Sequence, residues 1–454
     1  MGESTVHRTI RLLQKVVEDL NVDIPLSELE RIGVMINRAM SAQERSFHTP
    51  EHIFDLASPE DPYITLAALF HDIVYFQVDQ GFSPDIDKLI APYIVIKNSN
   101  ISLIENVNVN DRAFWGCLCV FGFKVGQLLS PFNGMNEFLS ALVMNLLLEG
   151  LVADKDLLIT TACIEQTIPF RKIDEKGNTP SMLLERNLIN TCNQFSLKLT
   201  KSEIEYAVKS AVTVANRDVW NFCEEDVALF LDITWKLLPE TNPSLRMKGS
   251  YTINNYCLAL KKMEAFLYFL DPLTVFSSYK GTPPDEELQR MTVLAERNIT
   301  MARKYLGIKL LASAVLTSLA DISGGDAPME LFMGDMKIDS CNGQISDLLP
   351  EVKENPSVTI DQDLFNLLTF GRASASSFDL QNSPLSLFIY RQIGTDGLSE
   401  NLILAKKMFE KSITNREFLL LLPRKVMKGI VAAGMEMAFT RKEILNAFLQ
   451  ELSD

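Results

Sequence analysis

The chain has 454 residues, 47% hydrophobic and 22% charged, the ordinary range for a globular protein with a sizeable buried core. Its 58 acidic residues outweigh 43 basic ones, and the formal charge of −15 excludes a general nucleic-acid binder, which must neutralise phosphates with basic side chains. Length alone gives a prior of about three domains.

Helical spacing runs through almost the whole chain. Ile10, Leu13, Val16, Val17 and Leu20 form an apolar stripe closed by Asn21, and Leu26 to Met40 reads as a second helix. Thr49-Pro50 marks a helix start with proline at its first position, and Asp61-Pro62 marks the next. In that helix Ile64, Ala67, Ala68, His71, Val74, Tyr75 and Val78 share one face. Residues 79–111 are polar and poorly periodic, and read as loop or short helices. Helices are expected over 112–129, 136–151 and 154–170. Thr200-x-x-Glu203 is a capping box that opens a helix to about Trp220, followed by one over 225–238.

Beyond Pro243 the pattern predicts helices over 251–270, 284–304 and 308–322. Ser323-Gly324-Gly325 breaks it, and the Gly-, Asp-, Asn- and Pro-enriched stretch 323–362 reads as a linker. Helical periods return over the last ninety or so residues, with Thr440-x-x-Glu443 opening the final helix. No phosphate-binding glycine loop and no G-x-S-x-G elbow occurs, so Rossmann enzymes, P-loop NTPases and the common serine hydrolases are unsupported. The expected fold class is all-α.

The N-terminus carries no basic stretch leading into an apolar one, so no signal peptide is expected. The apolar run from Phe138 to Val152 is too short to span a bilayer. Seven dispersed cysteines without a C-x-x-C pair indicate a reducing compartment, and Cys117 and Cys119 read as packed thiols. A cytoplasmic protein without membrane association is the expectation.

Only four histidines occur, and three fall within 24 residues, at His48, His52 and His71, the last followed by Asp72. Neutral imidazole and carboxylate are common ligands of a hydrolytic metal centre. His71 lies on the apolar stripe of its helix and points inward, with Asp72 at its flank. His52 sits in the first turn of the preceding helix and His48 just outside it, so these two need not share a role. A further ligand must come from a distant helix. Ala207, Ala211, Val214 and Asp218 fall at helical spacing, and an inward aspartate on such a stripe costs several kcal/mol unless it is paired or holds a metal. His7, beside Arg8, reads as a surface residue.

The order H…HD…D in an all-helical frame resembles the HD-domain metal-dependent phosphohydrolases, most closely the branch of predicted HD phosphohydrolases. The resemblance rests on Phe47-His48-x-x-x-His52-x-x-Asp55-Leu56 and on Ala67-Ala68-Leu69-Phe70-His71-Asp72-Ile73-Val74-Tyr75. The first segment is also similar to the H-N-x-x-H-A-x-D-V signature of cyclic-nucleotide phosphodiesterases. It covers residues 45–80, with weaker support over 160–220. It implies His48 as general acid, His52, His71, Asp72 and Asp218 as metal ligands, and Asp55 as a supporting carboxylate. Glu165 falls where relatives have a helix lining the site, which makes it a catalytic candidate. Dinuclear relatives carry more histidines after the doublet and this chain has none, so one divalent ion per chain (Mn, Fe, Zn, Ni or Mg) is expected unless Glu165 or Asp79 holds a second.

The expected function is hydrolysis of a small phosphorylated substrate, a phosphomonoester or phosphodiester, with Arg45, Arg171 or Arg217 as the cationic clamp. The alternative is a non-catalytic regulatory or scaffold protein that uses the same fold to bind a metal, a nucleotide or a protein partner. The domains expected are an HD-like unit over 1–240 with an insertion at about 79–155, a helical extension over 241–322, the linker, and a C-terminal helical region over 363–454. Those C-terminal helices are where a protein partner or a second copy would dock.

Overall fold

A computed structural model of the chain describes residues 3–98, 100–247, 249–334, 343–352 and 356–453. The chain divides into two compact units, Met1–Cys223 with Asp271–Glu296, and Glu224–Leu270 with Arg297–Asp454. Helices account for nearly all the regular structure described, as the all-α reading expects. The first boundary lies at Cys223 rather than near 240. Residues 271–296 belong with the first unit because Asn216 bonds the backbone of Ser277 through both its amide groups, and Lys280 pairs with Glu185. Part of the expected 323–362 linker, 335–342 and 353–355, lies outside the described residues.

The first unit opens with α1 (Thr5–Asp19) and α2 (Leu26–Met40), packed through their apolar stripes. Then come α3 (Pro50–Leu56), α4 (Pro62–Phe70), α5 (Phe76–Asp79) and α6 (Pro84–Ile90). An antiparallel hairpin follows, β1 (Ile94–Lys97) and β2 (Asn100–Leu103), with Ile94 opposite Leu103. The reading of 79–111 as loop or short helices holds for α6 and the loops, and the hairpin corrects it over 94–103. Ile94, Ile101 and Leu103 turn into the core, so the pair is held by burial rather than by its own few hydrogen bonds.

The remaining helices of this unit are α7 (Arg112–Phe121), α8 (Met135–Leu148), α9 (Asp154–Gln166), α10 (Pro180–Phe195) and α11 (Lys201–Asp218). Helix α7 ends eight residues before the expected limit of 129, because Gly122 takes a left-handed φ of 65° and caps it. Helix α9 is the axis of the unit, buried at every position from Asp156 to Gln166 and packed by α4, α7, α8, α10 and α11. Its polar groups are met locally: Thr161 donates to the Leu157 carbonyl, Asn145 donates to Thr161, and Tyr63 donates to Asp156. The Thr200–Glu203 capping box forms as expected.

The second unit contains α12 (Val227–Trp235), α13 (Leu237–Thr241), α14 (Ile253–Phe269), most of α15 (Asp285–Gly324) and the C-terminal helices, among them Pro384–Phe409 and Arg424–Met437. Helix α15 runs unbroken through Gly307, where two helices were expected. No proline or cap interrupts it there, and one internal glycine costs only about 1 kcal/mol. It is the one helix among the described residues long and apolar enough to cross a membrane, and 83% of its apolar window is buried in the structure. The last helix starts at Lys442 with Arg441 at its N-cap, so the expected capping box at Thr440 does not form.

Candidate metal centre

Two helices running side by side build the site. At its start, α4 is capped by Asp61, whose carboxylate also accepts from Tyr206 and Ser210 on α11. At its end, His71 meets Asp218, the last residue of α11. Ten residues separate Asp61 from His71 and eight separate Ser210 from Asp218. At 1.5 Å per residue, these are roughly equal lengths of helix, so the two run in the same direction and are pinned at both ends. The C-terminal end of α3 is tied in by Arg217, which donates to the Leu56 carbonyl.

Helix α4 does not continue through Val78. It stops at His71, and backbone N–H groups beyond it are taken by α8: Val74 donates to Ser140 Oγ and Phe76 to Asn136 Oδ1. The turn returns the Asp72 carboxylate to the His71 ring, with Oδ2 2.9 Å from Nε2.

Four side chains converge. His52 Nε2 lies 2.9 Å from Asp218 Oδ1, 3.3 Å from His71 Nε2 and 3.7 Å from Asp72 Oδ2. His71 Nε2 is 3.6 Å from Asp218 Oδ1, and one ligand atom from each of the four lies within 4.8 Å of all the others. A tetrahedral ion with bonds of ~2.1 Å has ligand–ligand edges of roughly 3.4 Å, the middle of this range. The His71 Nδ1 faces the Ala68 carbonyl at 3.0 Å, and donating there leaves the Nε2 lone pair of the neutral ring facing the centre. With both rings neutral and Nε2 unprotonated, the two imidazole nitrogens and two carboxylates facing one another are all acceptors, which is the donor set a divalent cation takes. This cluster can hold a metal ion.

Without an ion, protons take up the role. Burial works against charge on His71, but Asp72 and Asp218 outweigh it and raise its pKa well above the ordinary imidazole value. Burial likewise opposes charge on Asp218 and Asp72, and the histidines prevail, holding Asp218 at about 2 and Asp72 below the usual carboxylate range.

His48 lies beside the cluster, outside the four. Its ring sits edge-on to His52 at 5.8 Å and to Tyr75 at 4.6 Å between centroids. Asp55 is exposed on α3, which corrects its expected supporting place. Arg45 is no clamp. Its guanidinium is fully buried, forks onto both oxygens of Asp79 and donates to the Asp72 carbonyl, so it fixes the turn after the doublet. Glu165 is buried and gripped by Arg171 through both oxygens, so it is neither exposed nor open to substrate. Asp79 and Glu165 are thereby committed to arginines and not placed to hold a second ion. Among the described residues no carboxylate lies within ion-pair distance of Arg217, which leaves it as the remaining clamp candidate. His7 is exposed, as expected. Cys117 and Cys119 are free thiols, Cys117 fully buried, whereas Cys341 lies outside the described residues.

Sequence reasoning missed Glu137 in the first turn of α8. Its Oε2 is buried without a hydrogen-bond partner. Burial first, then Asp72 and Asp218, push its pKa up to about 8 against the pull of its own N–H and Arg171. A separate recess of the same unit, lined by Arg112, Asn145 and Asp154 among others, includes none of these groups. Arg112 is paired with Asp154 there, and nothing in it matches the chemistry above. No family model, curated protein or solved structure matches the chain.

Proposed function

We propose that the first unit is a metal-dependent phosphohydrolase of the HD type, acting on a small phosphomonoester or phosphodiester. The observation that carries this is the convergence of His52, His71, Asp72 and Asp218 with a fifth group, His48, standing beside them. The divalent ion, when bound, supplies acidity to the attacking water and polarises a phosphoryl oxygen. The chain's own residues do the rest. His52, His71, Asp72 and Asp218 would hold the ion, and Ala68 fixes the tautomer of His71 through its carbonyl. Arg45 keeps the Asp72 turn rigid from behind. His48 protonates the departing oxygen, a contribution of roughly 10²–10⁴ in rate. Arg217 contacts the phosphate.

The test is metal analysis of the purified protein with hydrolysis of p-nitrophenyl phosphate and bis(p-nitrophenyl) phosphate. About one divalent ion per chain and turnover of either ester are expected, both lost in a His71→Ala, Asp72→Ala variant. Stoichiometric metal with no turnover on any phosphoester would move the reading to a metal-binding regulatory module. A folded protein that takes up no divalent ion would overturn both.

A further inference from the structure

We propose that Glu137 takes the proton of the attacking water in the reaction of this centre, an inference that rests on the function proposed above. Helix α8 places it there. Its neighbours Asn136 and Ser140 hold the backbone of Phe76 and Val74, the segment that follows the His71-Asp72 doublet, so the first turn of α8 lies against the site. One oxygen of Glu137 is buried without a partner, and a buried polar atom left so costs ~1–3 kcal/mol. The neighbouring acids Asp79 and Glu165 avoid that cost through arginines. Among the described residues Glu137 has no such ion pair, and it is not one of the four converging ligand residues. A carboxylate that neither binds the ion nor is neutralised by an arginine is placed to bind water.

The step balances without a further reactant. The water oxygen forms the new O–P bond while one of its protons passes to the Glu137 carboxylate. The bond from phosphorus to the leaving oxygen breaks with its electron pair on that oxygen, which receives the proton of His48. Glu137 then releases its proton to solvent and His48 regains one.

The test is Glu137→Gln in the full chain. The variant should keep the wild-type Mn²⁺ stoichiometry and KM, lose roughly 10²–10⁴-fold in kcat, and lose the rising acid limb of the pH profile. Formate should restore part of the rate in Glu137→Ala. Calorimetry in two buffers at pH 7 adds a readout independent of turnover: Glu137→Gln should release fewer protons on Mn²⁺ binding than wild type. An unchanged kcat and acid limb, or a loss of the metal itself, would overturn the assignment. Wild-type protein that binds Mn²⁺ but hydrolyses neither ester would instead fail the proposed reaction. In that case equal proton release by the two proteins would also remove Glu137 from the field of the ion.

Discussion

Each unit buries a cluster of ionisable side chains, and the two clusters are built on opposite principles. In the second unit Lys309, Arg372 and the Trp235 indole all donate to one oxygen of Asp379, at 2.7, 3.0 and 2.9 Å. Arg372 also lies over the Trp235 ring and donates to the Leu380 carbonyl. Donors outnumber the acceptor and both cations face carboxylates, Arg372 having Asp232 at 3.9 Å as well, although its Nε makes no hydrogen bond. In the first unit, His52, His71, Asp72 and Asp218 present acceptors to one another, and only borrowed protons reconcile them. A network of paired charges serves the fold, whereas a set of facing acceptors serves a cation. Burial of charge by itself therefore says little about function; the balance of donors and acceptors says more.

The sharpest way to break this comparison is to remove one member from each. Asp218→Asn should abolish stoichiometric metal binding and lower hydrolysis at least ~10³-fold, because it removes an anionic ligand that no neighbour replaces. The variant should still fold with only a modest loss of stability, since the amide keeps the shape of the side chain and Asp72 still faces the His71 ring. Asp379→Asn should do the reverse. It leaves two buried cations without their shared carboxylate, and breaking such a pair costs ~3–5 kcal/mol. Urea denaturation should show that loss while the metal content per folded chain is unchanged. Equal losses of stability in the two variants would erase the distinction.

The same contrast marks what could be read from residue order. Asp218 was legible because Ala207, Ala211 and Val214 set a helical stripe that it continues, and all three are indeed buried. The histidines were legible by scarcity. The end of α4 at His71 was not, since the apolar period runs on through Val78. The acceptors that take the backbone N–H groups of Val74 and Phe76 lie 66 and 60 residues away, on α8. Arg45 stands three residues before His48, which suggested a phosphate contact, but its partner Asp79 lies 34 residues on. Glu137 had no local signal at all, because a glutamate in the first turn of a helix is ordinary. The buried network of Asp379 joins residues up to 144 apart, beyond the reach of any local pattern.

Acidity should separate the two clusters next. Metal must displace the proton that Asp72 and Asp218 hold on His71, so Mn²⁺ affinity should rise with pH through the neutral range and plateau above the raised pKa of that ring. In the metal-free chain the linkage has the opposite sense: the stability from charged His71 is full below its unfolded pKa of about 6.5 and is lost as pH rises through the folded value. Burial opposes charge on Asp379, but Lys309 and Arg372 hold its pKa below the ordinary carboxylate value. Its contribution is therefore full above about pH 4 and is lost as pH falls through the depressed value. Titrating Mn²⁺ affinity and urea stability over pH 3–9 checks both signs.

Arg45 and Arg217 give the smallest expected effects and the finest discrimination. Arg45→Lys keeps the charge but cannot fork onto Asp79 while also reaching the Asp72 carbonyl, so the doublet loosens. Metal affinity should fall ~10–100-fold, the scale for groups that orient ligands. Arg217→Lys, by contrast, touches α3 only at the Leu56 carbonyl, at the far end of the helix from His52, so metal affinity should change little while the proposed phosphate contact weakens and KM rises several-fold. If KM is unchanged, the bond from Arg217 to Leu56 is its whole role, and the ion alone holds the phosphate.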